Sequence, residues 1–121
     1  MIKLKRAYEL PEINDGYRIL VDRLWPRGES KVKEQLDYWI KEIAPSTELR
    51  KWFGHESEKF PDFRRKYIAE LESNKEAVSQ LVQMVKEHNI VTFVYSAKDK
   101  QYNNAVVLKE FIESQDSFTK K

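Results

Sequence analysis

The sequence predicts an α/β fold, a single small layered domain in which a short, mainly parallel sheet is packed with helices. Three observations carry that expectation. The chain has 121 residues, the size of one domain, and dividing it would leave each half short of core. Hydrophobic residues make up 40% and aromatics 12%, enough apolar surface to fold in spite of a charged fraction of 35%. Two short β-branched apolar runs, YRILVD (17–22) and IVTFVYS (90–96), lie either side of a long stretch of helical periodicity. Connections of that length favour parallel pairing with helices laid on the sheet.

Taken in order, IKLKRAY (2–8) alternates apolar and basic residues as a half-exposed strand does, and PEINDG supplies turn residues after it. YRILVD reads as a buried strand that delivers its last side chains to a loop, RLWPRGES. Pro26 and Gly28 stop either regular structure there, so Arg23, Trp25 and Arg27 stand on irregular backbone. Val32, Leu36, Trp39, Ile40 and Ile43 then fall at helical spacing, with Ser30 as cap and Pro45 beyond the end, which predicts an amphipathic helix over 32–43. A short helix follows Ser46 and carries Leu49, Trp52 and Phe53 up to Gly54. Two more stripes follow, Phe60, Phe63, Tyr67, Ile68 and Leu71 with Pro61 near the first position, then Val78, Leu81, Val82 and Val85. IVTFVYS is apolar nearly throughout, as in a strand covered on both faces, and AKDKQYNN is a polar loop. Ala105, Leu108, Phe111 and Ile112 share a last helical face, and the tail from about residue 115 is expected to fray.

Composition removes several classes of function. Lys and Arg number 22 against 20 Asp and Glu, a net +2, too weak a field to imply a polyanion partner by itself. Without cysteine there is no disulfide, thiolate metal site or cysteine nucleophile. His55 and His88 are far apart, no His/Asp/Glu cluster has metal-ligand spacing, and neither a metal nor a cofactor is expected. The apolar runs are short and MIKLKRAYEL lacks the core of a signal peptide, so no membrane association and a cytoplasmic location are expected.

In open α/β sheets ligands collect at the carboxyl ends of the strands. If the two apolar strands are parallel neighbours, their loops meet and gather Asp22, Arg23, Trp25, Arg27, Tyr95, Ser96, Lys98, Asp99, Asn103 and Asn104 around one crevice. Asn103 or Asn104 would cap the last helix, whose free N–H groups add to the forks of Arg23 and Arg27 and the charge of Lys98. Such a site favours an anion, with Asp22 or Asp99 orienting the cations or acting as a base and His55 as a further catalytic candidate. Ser96 has no G-x-S-x-G elbow around it and is not read as a nucleophile. The ordinary alternative makes these residues a surface salt bridge, a packed indole and a solvated loop. A basic and aromatic set, Arg27, Arg50, Lys51, Trp52, Arg64 and Arg65, offers a different use, contact with nucleic acid or a protein partner.

The segments LVDRLWPRG, WIKEIAPSTELRKWFGH, FPDFRRKYIAEL and VTFVYSAKDKQYNNAVVLKEF, in this order, resemble the YeaO-like branch of the bacterial family called domain of unknown function 488. The resemblance runs from about Tyr17 to Phe111 and implies a compact bacterial cytosolic protein, without naming a reaction. It favours Asp22, Arg23, Trp25, Pro26, Arg27, Gly28, Trp52, Phe53, His55, Lys98 and Asp99. Other branches carry a cysteine near the end of the last strand and a Cys-His-Arg run in the next loop. Here Tyr95 and Asn103, Asn104, Ala105 stand in those places, which removes a thiol mechanism. The expectation is a protein with a phosphate- or carboxylate-binding pocket at the strand ends, the binding module being the alternative. Enzymatic activity, reaction and oligomeric state are left open by these residues.

Overall fold

A computed structural model describes residues 1–115; the tail expected to fray lies beyond them. Four parallel strands form one sheet: β1 (Ile2–Arg6), β2 (Tyr17–Leu20), β3 (Tyr38–Trp39) and β4 (Val91–Tyr95), in the spatial order β1-β4-β2-β3. The helices are α1 (Lys31–Glu34), α2 (Thr47–Phe53), α3 (Phe60–Ser73), α4 (Lys75–Lys86) and α5 (Asn104–Glu113). This is the expected α/β arrangement. β4 is central, flanked by β1 and β2, which is why its residues are apolar almost throughout and all five are buried.

The two faces of the sheet differ in chemistry. Ile19, Val21, Val91, Phe93 and Tyr95 point into a large core closed by α2 to α5, where Phe63, Tyr67, Leu81 and Leu108 are almost fully enclosed. The alternate residues Leu20 and Val94 pack with Ala7 under Trp25, Leu36 and Trp39, a small cluster roofed by loops. Beside it the same face buries charge: Arg18, Asp15 and Glu34 are 3%, 4% and 1% exposed. Arg18 donates through Nη1 to Asp15 Oδ2 at 2.8 Å and through Nε to the Glu34 carbonyl at 3.0 Å. Asp15 also receives Lys5 Nζ at 3.0 Å, and its carbonyl accepts the Thr92 hydroxyl at 2.6 Å. Two loops are thereby tied to the strands by polar bonds in place of an apolar helix face.

The helix expected over 32–43 is not formed. Ser30 caps as expected, its hydroxyl accepting from Lys33 N at 3.0 Å, but the helix ends after Glu34 because Gln35 turns left-handed at φ 49°. The chain then runs alongside β2 as β3, anchored by Arg18 N donating to Asp37 Oδ2 at 2.8 Å, and ends in a 3-10 turn over Lys41–Ile43. Leu36 and Trp39 serve the small cluster whereas Ile40 and Ile43 are buried on the way to the large one, and Val32 is 86% exposed. A run that must serve two cores on opposite faces cannot be one helix with one apolar stripe. The later helices follow the periodicity: Ser46 Oγ accepts from Leu49 N at 3.1 Å, Gly54 ends α2, and Pro61 sits in the first turn of α3.

Candidate functional site

The loops that leave β2 and β4 meet, because the two strands are parallel neighbours. Asp22 is the joint. Its carboxylate accepts Ser96 N at 2.9 Å and Asn104 Nδ2 at 3.0 Å, and its carbonyl accepts the Trp39 indole N–H at 2.7 Å. One side chain thus fastens the end of β2 to the β4 loop and to the first residue of α5. Burial pushes the Asp22 carboxyl up, while the bonds from Asn104 and Ser96 and the nearby His55 imidazole pull it back down. His55 itself is exposed and holds a left-handed backbone, φ 60°, directly after Gly54.

The neighbouring candidates divide into those engaged by the protein and those left free. Arg23 donates through Nε to Pro45 O at 3.2 Å and through Nη2 to Ala44 O at 3.1 Å. Trp25 gives its N–H to Glu29 O at 2.7 Å and meets Trp39 edge-on, so it is packed into its own loop. Asp99 caps a turn, Oδ1 accepting from Gln101 N at 2.8 Å and Tyr102 N at 3.0 Å. Asn103, 1% exposed, is the cap of α5: Oδ1 accepts from Val106 N at 2.9 Å while Nδ2 donates to Asp99 O at 2.8 Å. Arg27 and Lys98 are exposed and form no ion pair among the described residues. Neither Asp22 nor Asp99 pairs with Arg23, Arg27 or Lys98, so the idea that these carboxylates orient the cations has no contact behind it. The Asp22–Arg23 surface salt bridge is not formed either.

Replacing Asn103 removes a cap and a buried side-chain bond together. Asn103→Ala is expected to lower stability by about 1–2 kcal/mol, read from the denaturant midpoint; a change under about 0.3 kcal/mol would mean the cap contributes nothing.

One contributor was hidden from sequence reasoning. Tyr67 was placed in a helical stripe, yet its buried hydroxyl donates to Ile43 O at 2.6 Å, beside the two carbonyls that Arg23 holds. Burial first, then the Asp22 and Glu70 carboxylates, push that hydroxyl well above its usual value, so it stays a donor. Spacing reports which face a tyrosine takes and not what its hydroxyl reaches. Arg23 also borders an open groove of about 550 Å³ with Ser46, Tyr67, Glu70 and Asn74, but Arg27, His55, Lys98 and Asn104 do not line it.

Several members of the basic and aromatic set are engaged within the protein, while Arg27, Arg50 and Lys51 are exposed. Arg64 pairs with Glu110 at 2.8 Å, Arg65 with Asp62 at 2.7 Å, and the Trp52 ring is covered by Lys66 Nζ at 4.0 Å. No group of acidic or histidine side chains among the described residues is arranged to hold a metal ion, and no helix there is long and apolar enough to cross a membrane.

Over residues 1–120 the chain matches the family model described as the inactive DUF488-N3 subclade. The chain belongs to this subclade. It is 47% identical over 113 residues to the uncharacterized protein YeaO of Escherichia coli (strain K12), covering 93% of this chain and 97% of that protein. It is 34% identical over 111 residues, 92% of each chain, to the uncharacterized protein Rv3073c of Mycobacterium tuberculosis. No solved structure matches significantly. Within this DUF488-N3 chain Tyr95 and the run Asn103, Asn104, Ala105 have structural roles. Tyr95 is 2% exposed in the large core, Ala105 is fully buried, Asn103 is the helix cap, and Asn104 holds Asp22.

Proposed function

We propose that the chain is a non-catalytic binding protein that takes a small phosphate- or carboxylate-bearing ligand at the carboxyl ends of β2 and β4. One observation carries the reading: Asp22 and Asp99 on the two meeting loops are engaged by N–H donors of the protein, the third carboxylate, Glu29, is turned inward beside Lys33, and the cations Arg27 and Lys98 on the same loops are exposed and have no partner. The exposed charged side chains on these loops left without a polar partner are therefore cations. Arg23, on the same loop, is fixed by two carbonyls and borders the groove that Arg27 and Lys98 do not line, so the reading does not depend on it. The absence of catalysis is supported by the residues at the former thiol positions, which hold the fold, and by the description of the subclade as inactive.

The test is a thermal-shift titration with phosphate, sulfate, carboxylates, nucleotides, sugar phosphates and a short oligonucleotide. Wild type is compared with Arg27→Ala/Lys98→Ala, a pair chosen because neither side chain supports the fold. A ligand at about 100 times its dissociation constant stabilises by roughly 2.7 kcal/mol, several degrees for a domain of this size. The expected result is a selective shift in wild type that the double variant loses. No shift from any small anion, or one the double variant retains, overturns the reading. A response to the oligonucleotide alone that collapses with salt would establish the basic surface instead.

A further inference from the structure

Among the described residues three buried side-chain polar atoms lack a hydrogen-bond partner, and all three lie in one place: Glu29 Oε1, Glu34 Oε1 and Arg18 Nη2. Glu34 is 1% exposed and the Glu29 side chain 8% exposed, so bulk solvent does not reach them. Glu29 is within side-chain hydrogen-bonding reach of Glu34, and two buried carboxylates so placed repel unless one carries a proton, which turns the repulsion into an O–H···O bond and accounts for the two carboxylate orphans. The positive groups nearby answer only part of this. Arg18 Nη2 on β2 lies 3.5 Å from Glu34 Oε1, an ion pair without a hydrogen bond, while its Nη1 goes to Asp15, which also draws on Lys5 of β1. Lys33 of α1 reaches Glu29 at 3.5 Å with its own side chain 56% exposed. Asp37, in the link to β3, adds a further negative charge beside Arg18.

We propose that Glu29 and Glu34 share one proton as a latch that fastens the loop after β2 and the single turn of α1 onto the second face of the sheet, and that losing this proton to water releases the segment. The latch joins the two ends of one short stretch. Glu29 accepts the Trp25 indole through its carbonyl, and Glu34 accepts Arg18 in the same way. Around it the stretch is held by Trp25 and Leu36 in the small cluster and by the Arg18–Asp37 pairing, while α1 itself has only four residues and exits through the left-handed Gln35. Local opening is cheapest where buried apolar contacts are few. Burial first, then Glu29, push the Glu34 carboxyl from its usual 4.5 up to about 7, against the pull of Arg18 and Lys33. The folded state therefore holds a proton that the unfolded chain has already released. Stability falls as pH rises between those two values and levels off above the higher one. The latch does not depend on what the crevice binds.

Hydrogen exchange followed by mass spectrometry across pH 6 to 8 tests it, with β4 as internal reference and rates corrected for intrinsic base catalysis. Protection of residues 23–37 should fall at least several-fold relative to β4 in wild type. Glu34→Gln and Glu29→Gln each keep a permanent N–H donor in place of the shared proton and should flatten that fall. Protection that tracks β4 at every pH, or the same fall in both glutamine variants, overturns the latch. The side-chain carboxyl carbon shift of Glu34 in wild type gives a readout independent of the variants. A midpoint near neutrality supports the shared proton, and one near the ordinary glutamate value rules it out.

Discussion

Gly16→Ala is expected to cost more stability than any other single methyl added to this chain, on the order of 3 kcal/mol or more. Gly16 has φ 67°, which L side chains rarely adopt, and a Cβ built there overlaps the carbonyl oxygen of Ile90. That oxygen accepts Tyr17 N at 2.9 Å, the bond that starts the β2–β4 pairing at Tyr17 and Val91. The added methyl must push this carbonyl away from the amide or drag the start of β2 off the central strand. Backbone strain alone costs about 1–3 kcal/mol, and a broken bond at this half-buried strand end adds about 1 kcal/mol. Gly54→Ala is the control. Its φ of 52° is also positive, but the nearest atoms to an added Cβ are at ordinary contact distance, 3.6 Å, so it should show the strain without the clash. Urea denaturation separates the two, and equal losses would remove the Ile90 contact from the account.

The same segment shows where sequence reasoning stopped. PEINDG was legible as a turn, since Pro, Asn, Asp and Gly mark one, and the strands either side were legible, the first from its alternation and the second from its apolar β-branched run. That Asp15 within it is buried against Arg18 and Lys5 was not, because charged residues in loops are usually solvated and nothing in local spacing marks an exception. Arg18 stood inside an apolar strand and should have raised the question of its partner. The 32–43 stripe misled for a related reason: helical spacing reports that residues share a side only if they share a helix, and Leu36 and Ile43 belong to cores on opposite faces of the sheet. The meeting of the Asp22 and Ser96 loops was legible, since parallel neighbours must deliver their ends to one side. What each side chain does there was not. The engagement of Arg23 by the 44–45 carbonyls depends on where the chain runs before α2, which only the fold determines.

Arg18→Met is expected to destabilise the protein by about 3–5 kcal/mol at pH 7, although methionine fills much of the same space. Among the described residues Arg18 is the only cation in contact with both Asp15 and Glu34. Without it Asp15 keeps Lys5, and the Glu34 carbonyl loses its donor. The pH dependence distinguishes a lost charge from lost packing. Burial alone would raise Asp15, but the Glu12 amide, Lys5 and Arg18 overcome it and hold the carboxyl below its usual range. A depressed folded value contributes stability that is present above the unfolded value and lost as pH falls through the folded one. Removing Arg18 should therefore flatten the acid limb of the stability curve. It should also raise Glu34 further, because Arg18 is one of the two groups pulling it down, and so steepen the loss toward neutral pH. Neutralising the set together, Arg18→Met with Asp15→Asn and Glu34→Gln, leaves no buried charge without a partner and should recover most of the loss, as replaced buried ion pairs do. Chemical denaturation from pH 4 to 8 reads all of this. A loss under about 1 kcal/mol in Arg18→Met, or an unchanged acid limb, would mean that the small apolar cluster of Leu20, Val94, Trp25 and Trp39 holds the second face without the charges.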